Sequence, residues 1–311
     1  MKSLNRRLNQ RLIGRENMNV IETNNLTKFY GKSKGIEGLN LTVEKGDFFG
    51  FIGPNGAGKS TCIRTLLGLI KPTGGSAKVL GHDIVTGHDE ILKGIGYLPS
   101  EINFYSGMKV KDVIKYSAEL YGKDCSETAA EIVDRLGLDI EKKVDDLSLG
   151  NRKKAGIVCA LQHRPELIIM DEPTSGLDPL MQHEFFNILT EQHEKGATVF
   201  LSSHILSEVQ AHCRTAAFIK DGRIIMADRV DKLEKTGAKK VTLRGRLSEN
   251  FKLELADMEA EITDKVIEEK YTSFLYSGDI ARLLTILAEE KPKDVTIAEP
   301  TLEEIFMNYY E

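Results

Sequence analysis

The sequence contains no long apolar segment. Crossing a bilayer takes roughly 20 consecutive apolar residues, and the most apolar stretches here, 167–170 and 197–201, have the length of buried strands. If the protein works at a membrane, we therefore expect another chain to supply the membrane span.

Cysteine is also scarce. The four cysteines are far apart and form no Cys-x-x-Cys pair; they are Cys62, Cys125, Cys159 and Cys213. Paired spacings of that kind are typical of zinc sites and redox motifs, so the sequence predicts neither. We expect buried, free thiols in a reducing compartment.

An excess of positive charge is missing as well. Lys and Arg number 42 against 47 Asp and Glu, which gives a net charge of -5. Proteins that bind nucleic acid usually present a basic surface, so we expect no nucleic-acid partner. Charged residues make up 29% of the chain and hydrophobic residues 41%, a composition typical of a globular fold.

The length of 311 residues predicts two domains at about 150 residues per domain. We predict a basic tail over 1–18, a main α/β domain over 19–235 with a helical region at about 100–162, and a small α+β appendage over 236–311. The charges of the tail are nearly all basic, and it lacks the apolar core of a secretory signal. We expect it to be disordered, or to precede a start at Met18.

A strand, a glycine-rich turn and a helix follow one another in the first third of the chain. The apolar run 48–52 predicts a buried strand. A helix from Ser60 is predicted by the spacing of its apolar residues, which are Ile63, Leu66, Leu67 and Ile70. Further buried strands are expected at 167–170 and 198–201, and Asp221-Gly222 predicts a hairpin. This succession is typical of an α/β fold.

The pattern of the chain restarts after residue 235. Asp279 has the position of a helix cap, and the helix is predicted to bury one face, made of Ile280, Leu283, Leu284 and Leu287. Thr301 and Glu304 have the spacing of a capping box before a final short helix.

The turn at 53–60 reads GPNGAGKS and matches the pattern G-x-x-x-x-G-K-[ST] of a phosphate-binding loop. Its glycines permit turns that side chains forbid, so that backbone N–H groups converge on an anion at a helix N-terminus. Lys59 is expected to reach the β- and γ-phosphates, and the Ser60 hydroxyl to ligate Mg²⁺. The alternative is a glycine turn without a ligand. The predicted phosphate-site residues are Gly53, Pro54, Asn55, Gly56, Ala57, Gly58, Lys59, Ser60 and Thr61.

Two acids, Asp171 and Glu172, follow the predicted strand 167–170 directly. Open α/β sheets bind ligands at the carboxyl ends of their strands, so both side chains are expected at the phosphate site. Asp171 is predicted to orient the Mg²⁺ shell, and Glu172 to act as general base on the attacking water. Taken alone, the pair is a weak signal, because any strand can end in a charged turn.

Several motifs in one order resemble the ATP-binding subunits of ABC transporters over about 19–230. GPNGAGKST resembles the Walker A motif of this family, and IIMDEP resembles its Walker B motif with the catalytic glutamate at Glu172. LSLGN at 147–151 is similar to the signature loop, SGLD at 175–178 to the D-loop, and His204 to the switch histidine. The C-terminal segment EPTLEEIFMNYYE resembles endings in the branch that exports drugs, antibiotics or peptides through a separate permease.

The resemblance implies a P-loop NTPase core with an antiparallel β subdomain, a helical subdomain and a small C-terminal α+β appendage. It implies two ATPase subunits, identical or different, that pair head to tail around ATP and Mg²⁺ on the cytoplasmic face of a membrane permease. Tyr30 then stacks on adenine, and His204 contacts the γ-phosphate. Ser148 and Gly150 cover the partner's γ-phosphate, and Asp178 communicates across the dimer.

Simpler interpretations of these residues stay open. Ser148 has the position of a helix cap, Tyr30 that of a strand-end surface residue, and a lone histidine is more often structural than catalytic. His212, eight residues after His204, is predicted to share its helix face, and with no further ligand in view the sequence predicts no metal site there. The basic run 152–154 is most simply a solvated helix face.

The chain departs from the family pattern at two places. Ser100 stands where the family has a glutamine that contacts Mg²⁺ and water, with Glu101 or a bridging water as substitutes. Leu149 and Asn151 replace glycine and glutamine in the signature loop. Ser100 and Leu149 are the features in favour of a second hypothesis, a non-hydrolysing regulatory subunit, whereas the catalytic-type residues argue against it: Lys59, Asp171, Glu172 and His204 are all present. A third is an ABC ATPase that acts on ribosomes or DNA, against which stand the single motif set and the lack of sustained heptads.

Overall fold

The computed structural model describes residues 19–233, 238–245, 247–258, 261–268, 270–301 and 304–305. The predicted tail at 1–18 lies outside the described residues. The described residues form two compact units that divide between Ala227 and Asp228. The boundary that the sequence predicts, 235/236, falls within 234–237, which is also outside the described residues, so it stays a prediction.

The strands that begin in the first unit are, in chain order, Asn19–Tyr30 (β1), Ser33–Leu39 (β2), Thr42–Glu44 (β3), Phe48–Ile52 (β4), Gly74–Val79 (β5), His82–Asp83 (β6), Ile95–Leu98 (β7), Leu167–Asp171 (β8), Thr198–Ser203 (β9), Thr215–Lys220 (β10) and Arg223–Arg229 (β11). Its described α-helices are Lys59–Leu66 (α1), His88–Gly94 (α2), Val110–Leu120 (α3), Ser126–Arg135 (α4), Leu149–Leu161 (α5), Pro179–Glu194 (α6) and Leu206–His212 (α7), and Val144–Asp146 forms a short 3-10 helix.

The centre of this unit is a sheet in the order β11-β10-β4-β9-β8-β7. Strands β10, β4, β9, β8 and β7 run parallel to their neighbours, and every residue of β4, β8 and β9 is buried. Burial on both faces explains why these strands are short apolar runs rather than alternating patterns. The ring of Phe200 packs against Phe49 and Phe51 on the neighbouring strand, with ring centres 5.5 and 5.4 Å away. The predicted buried strands and the hairpin at Asp221-Gly222 are thus confirmed.

A second, antiparallel sheet in the order β2-β1-β5-β6, with β3 paired to β1, shares a hydrophobic core with α1 and the central sheet. Helices α3, α4 and α5 fall within the region predicted to be helical. Helix α5 packs against both α3 and α4 and against strand β7, so it joins the helical region to the edge of the central sheet. The fold class read from the sequence, an α/β core with an antiparallel sheet and a helical part, is confirmed.

The second unit contains the helix Val230–Leu233 (α8) and an antiparallel sheet in the order β13-β14-β12-β15. The strands are Lys239–Arg244 (β12), Ile262–Ile267 (β13), Tyr271–Tyr276 (β14) and Asp294–Ala298 (β15). Two helices, Glu249–Asp257 (α9) and Ile280–Glu290 (α10), supply apolar side chains to its core. In the described residues of both units, no helix has the length and apolar character needed to cross a bilayer.

Helix α10 begins as predicted but buries a narrower face. Asp279 caps it by accepting a hydrogen bond from the Ala281 N–H at 2.9 Å. Leu283 and Leu287 are buried, whereas Ile280 and Leu284 are 40% and 51% exposed. The predicted four-residue face is therefore wrong for two positions, because the core takes its further contact from Ile286 instead.

The last predicted cap is present in the described residues. The Glu304 carboxylate accepts a hydrogen bond from the Thr301 N–H at 2.9 Å, and the Glu304 N–H donates to the Thr301 hydroxyl at 3.3 Å. These reciprocal bonds form the capping box that the spacing predicts. The rest of the predicted helix lies outside the described residues.

Candidate functional site

Three neighbouring parallel strands end at one edge of the central sheet. The glycine-rich loop 53–60 follows β4, Asp171 ends β8, and His204 follows β9. Because β4 pairs with β9 and β9 pairs with β8, in parallel, their carboxyl ends lie side by side. The topology therefore brings the predicted phosphate loop, the acidic pair and the histidine together.

The loop backbone depends on glycine at position 58. Gly58 is the N-cap residue of α1 and has a φ of 105°, which side chains rarely adopt. A β-carbon there would lie 2.5 Å from the carbonyl oxygen of Gly35. With no side chain at the cap, the N–H groups at the start of α1 have no capping oxygen from that residue. They are available to an anion.

Lys59 is buried in the loop with its ammonium group directed at oxygen atoms. Its Nζ donates to the carbonyl oxygen of Gly53 at 2.6 Å and to that of Pro54 at 3.3 Å. It also lies 3.1 Å from Oε1 of Glu172. The lysine is 6% exposed. Solvent therefore screens its charge little, and the charge acts mainly on the groups of the site.

Glu172 joins the lysine to the histidine. While Oε1 faces Lys59, Oε2 lies 2.6 Å from Nδ1 of His204, a separation typical of a hydrogen bond to a charged group. The backbone of Glu172 has a φ of 50°, which is uncommon outside glycine and marks strain at functional sites. The structure thus brings the two predicted catalytic residues into direct contact.

Asp171 is fully buried, and its carboxylate accepts a single side-chain hydrogen bond. Its Oδ1 accepts from the Ser202 hydroxyl at 3.0 Å, and its Oδ2 is a buried oxygen without a hydrogen-bond partner. An unpaired buried carboxylate oxygen is costly unless a cation meets it, and an oxygen ligand is what Mg²⁺ prefers. Asp171 therefore fits the predicted cation site. Among the described residues, no three His, Cys, Asp or Glu side chains cluster as a metal site.

An open cavity of about 350 Å³ lies at this edge. The residues that line it are Tyr30, Lys34, Gly35, Pro54, Asn55, Gly56, Gly58, Lys59, Ser60, Thr61, Ser100 and Glu172. Most predicted phosphate-site residues are among them, whereas Gly53, Ala57, Asp171 and His204 are not. The Tyr30 ring is 48% exposed, with the Lys28 ammonium 5.1 Å from its centre. It offers an aromatic face at the cavity wall.

The predicted signature and D-loop residues do not line this cavity. Ser148 caps α5 by accepting a hydrogen bond from the Asn151 N–H at 3.3 Å, and Asp178 caps α6 by accepting from the Met181 N–H at 3.0 Å. The signature loop (147–151) and the D-loop (175–178) contact each other. A β-carbon at Gly150 would lie 2.6 Å from the carbonyl oxygen of Gly176, so only glycine fits at this contact.

Two sequence interpretations near the site are wrong. His212 ends α7, but His204 precedes that helix, so the two do not share a helix face. His212 stacks on Phe186 at 3.9 Å instead. Lys153 is 1% exposed and not part of a solvated face. The spacing Lys153, Ile157, Leu161 puts it on the buried side of α5, a signal that the polar run 152–154 obscures.

None of the four cysteines lines the cavity. Cys62 lies within α1, and burial raises the pKa of its thiol to about 12. Cys62, Cys125 and Cys213 are buried and Cys159 is partly exposed, all four as free thiols. The prediction of free cysteines is confirmed.

Known proteins share both the sequence and the fold. A protein-family model described as "ABC transporter" matches residues 36–175. The bacitracin transport ATP-binding protein BcrA of Bacillus licheniformis is 35% identical over 296 residues, covering 93% of this chain and 96% of that protein. The chain belongs to the ATP-binding proteins of ABC transporters.

Further relatives of this ABC protein extend the likeness. The linearmycin resistance ATP-binding protein LnrL of Bacillus subtilis is 29% identical over 305 residues, covering 93% of this chain and 97% of the relative. Among solved structures, the ATP-binding subunit of an ABC transporter superposes with a TM-score of 0.66. The two chains are 28% identical in sequence, and the superposition covers 70% of this chain and 92% of the solved one. The chain is an ABC ATPase with the P-loop NTPase fold.

Proposed function

We propose that this ABC ATPase hydrolyses ATP at the cavity beside Lys59 and thereby drives a separate membrane permease, of the type that exports antibiotics, drugs or peptides. One observation carries the hydrolytic part. The Glu172 carboxylate lies 3.1 Å from the Lys59 ammonium and 2.6 Å from His204 Nδ1, at the wall of a cavity lined by the phosphate loop.

In this proposal the loop binds the triphosphate through backbone and lysine together. The N–H groups at the start of α1 meet phosphate oxygens, and Lys59 exchanges its contact with Glu172 for the β- and γ-phosphates. Tyr30 stacks on the adenine ring, and Thr61 extends the polar wall. Ser60 and Asp171 would hold Mg²⁺, which when bound offsets negative charge on the phosphates.

Glu172 is then the general base. It takes a proton from a water whose oxygen bonds to the γ-phosphorus, while the bond to the bridging oxygen breaks and ADP leaves with that electron pair. His204, protonated on Nδ1, donates to the second carboxylate oxygen and fixes its orientation. Since the carboxylate has two oxygens, one stays with the histidine and the other is freed when phosphate engages Lys59.

Pairing with a second ATPase subunit supplies the remaining residues. Ser148, Gly150 and Asp178 lie outside the cavity of their own chain, which supports a role at the phosphates of a partner chain. The ATPase pair is proposed to sit at the cytoplasmic face of the permease. The export of antibiotics is proposed from the names of BcrA and LnrL, which are bacitracin transport and linearmycin resistance proteins.

Phosphate release by the purified chain tests the hydrolytic role. Glu172→Gln is expected to lower kcat at least about 100-fold, since a general base contributes that much or more, while nucleotide affinity changes little. The matched control is Glu166→Gln, because this exposed residue precedes the opposite end of the same strand, β8. Equal kcat values for the two variants would remove Glu172 from the mechanism and favour a non-hydrolysing subunit.

Antibiotic tolerance tests the transport role. Cells that lack the chain are expected to lose tolerance to one or more of a panel of antibiotics that includes bacitracin and linearmycin. Tolerance should return with the wild-type chain and not with Glu172→Gln. Sedimentation of the tagged chain provides the second readout: recovery with ribosomes rather than with membranes would support the ribosomal alternative.

A further inference from the structure

A buried lysine outside the phosphate loop reaches the same glutamate from the backbone side. Lys153 lies one turn into α5, the helix that begins at the signature loop. Its Nζ contacts three carbonyl oxygens, those of Ser100 at 3.0 Å, Glu172 at 3.2 Å and Pro99 at 3.4 Å. An ammonium group has three N–H donors, and these three oxygens account for all of them.

The three oxygens belong to the ends of two adjacent strands. Pro99 and Ser100 directly follow β7, Glu172 directly follows β8, and these strands pair in parallel. The ammonium therefore links the exits of neighbouring strands at the edge where the cavity lies. Ser100 and Glu172 both line that cavity, so Lys153 connects two parts of its wall.

Burying this charge is unfavourable by itself. Lys153 is 1% exposed, and removing an ammonium group from water is costly unless its donors are satisfied. Burial lowers the pKa of Lys153, and the negative charges of Asp171 and Glu172 oppose that shift. A cation at this point also reduces the repulsion between the two adjacent acids.

The backbone that Lys153 contacts is strained and held by several bonds. Glu172 has a φ of 50°, its N–H donates to Ser202 O at 3.0 Å, and its carbonyl oxygen also accepts from the Ser175 hydroxyl at 2.9 Å. Strained conformations persist only where surrounding contacts over-determine them. Rotation of this peptide would carry the carboxylate away from Lys59 and His204.

We propose that Lys153 is a positioning residue for ATP hydrolysis, which fixes the backbone of Glu172 and of the 99–100 segment so that the Glu172 carboxylate stays at the cavity. This inference rests on the proposed function, in which Glu172 is the general base. It assigns to α5 a role in holding the base, in addition to presenting Ser148 and Gly150 at its start.

The test compares two adjacent lysines of α5 in the full-length chain. Lys153→Met keeps an unbranched side chain of similar length but loses the charge and the donors. Lys154→Met is the matched control, because the Lys154 Nζ donates to the Leu136 carbonyl at 2.7 Å, away from the cavity. Lys153→Met is expected to lower kcat between about 10-fold and 100-fold, as misplacement of a reacting group does. KM, and the Kd of a fluorescent ATP analogue, should change less than about threefold. Lys154→Met should leave all three near wild type.

Two further variants separate positioning from stability and from failure of the proposed function. Lys153→Arg keeps the charge and N–H donors and should retain more of kcat than Lys153→Met. In a Glu172→Gln background, Lys153→Met should lower the residual rate less than about twofold, since residues that act as a unit are not additive. If Glu172→Gln alone has no effect, the proposed function fails, whatever Lys153→Met does.

Other outcomes decide the inference itself. If folded Lys153→Met keeps kcat within about twofold of Lys154→Met, Lys153 is not a positioning residue. Equal losses with and without Glu172 also overturn the proposal, because the lysine then acts elsewhere. Circular dichroism reports folding. Should the methionine variant not fold, Lys153→Gln, which retains an N–H donor without the charge, replaces it with the same expected split between kcat and Kd.

Discussion

The edge of the central sheet in the first unit and the core of the C-terminal unit bury very different groups. At the sheet edge the buried residues include Lys59, Lys153, Asp171 and Ser202, each of which contacts a polar partner. In the described part of the second unit, the polar side-chain groups of the buried residues are the hydroxyls of Thr272, Ser273 and Tyr276, and the other buried residues are apolar. Buried charge costs stability, and in the described part of the second unit no charged residue is buried as a whole.

This difference suggests two roles for buried residues: those at the sheet edge contribute to catalysis, and those in the second core contribute to stability. Charges at the sheet edge are expected to change catalysis more than folding when they are replaced, because each one orients or neutralises a neighbour. Apolar residues of the second core are expected to change folding alone. Three substitutions and one pH dependence test this division, from the largest expected effect to the smallest.

Asp171→Asn is expected to have the largest effect, on catalysis. Loss of the negative charge should lower kcat at least about 100-fold and raise the Mg²⁺ concentration needed for half-maximal phosphate release. Asp47→Asn is the matched control, because Asp47 is a buried aspartate that bonds to Thr215 at the amino end of β4. A similar fall in kcat for both variants would mean that buried aspartates support the sheet in general, and the contrast would fail.

Leu283→Ala is expected to act on stability alone. Leu283 is fully buried in the core of the second unit, and truncating such a leucine costs about 3 kcal/mol of unfolding free energy. The neighbouring Leu284 is 51% exposed, so Leu284→Ala should cost less than about 0.5 kcal/mol. Urea unfolding measures both values. Phosphate release per folded molecule should be unchanged; a large fall in kcat would assign a catalytic contribution to this core.

His163 is expected to make the first unit sensitive to acid. It stacks on Tyr121 at 3.5 Å, and burial is the main cause that lowers its pKa to about 4. Because the folded pKa is depressed below the ordinary value of about 6.5, the neutral ring stabilises the fold above about pH 6.5. This contribution is lost as pH falls toward 4. The loss should reach roughly 2 kcal/mol between pH 7 and pH 5.

Urea unfolding at the two pH values measures this loss against a His163→Gln control. The glutamine variant, which has no ring to protonate, should show a flatter pH dependence. Equal slopes for the two proteins would show that His163 is not the group responsible.

Ser175→Ala is expected to have the smallest effect. Its hydroxyl donates to the carbonyl oxygen of Glu172 that Lys153 also contacts, so one donor remains after the change. A single neutral hydrogen bond contributes about 1 kcal/mol, and kcat should fall about threefold to fivefold. Steady-state phosphate release checks this value. A fall larger than that of Lys153→Met would reverse the ranking of the two donors.

Much of the site at the edge of the central sheet was predictable, because the sequence patterns that indicate it are local. The phosphate loop is a contiguous pattern, and Asp171 and Glu172 directly follow an apolar run of strand length. Helix caps are local in the same way, which is why Ser148 and Asp279 were correctly identified as N-cap residues. In each case the residue and its partner lie within a few positions of each other.

The rest depends on neighbours that are distant in the sequence. Lys153 donates hydrogen bonds to Ser100 and Pro99, which precede it by 53 and 54 positions, and to Glu172, which follows it by 19 positions. No local sequence pattern indicates where those carbonyl oxygens point. The exposure of Ile280 and Leu284 likewise follows from which side of α10 meets the sheet. Tertiary packing decides whether such side chains are buried or exposed, and it overrides the average preference of charged residues for the surface and of apolar residues for the core.

The contact between Gly150 and Gly176 has a mechanical consequence. A single methyl group added at Gly150 would approach the Gly176 oxygen to 2.6 Å, and one added at Gly176 would meet the Leu149 side chain at 2.9 Å. Without slack between them, neither loop has room to advance toward the other. We therefore expect that a displacement of the start of α5 toward α6 also displaces the turn that leads into α6, so that the two loops move together.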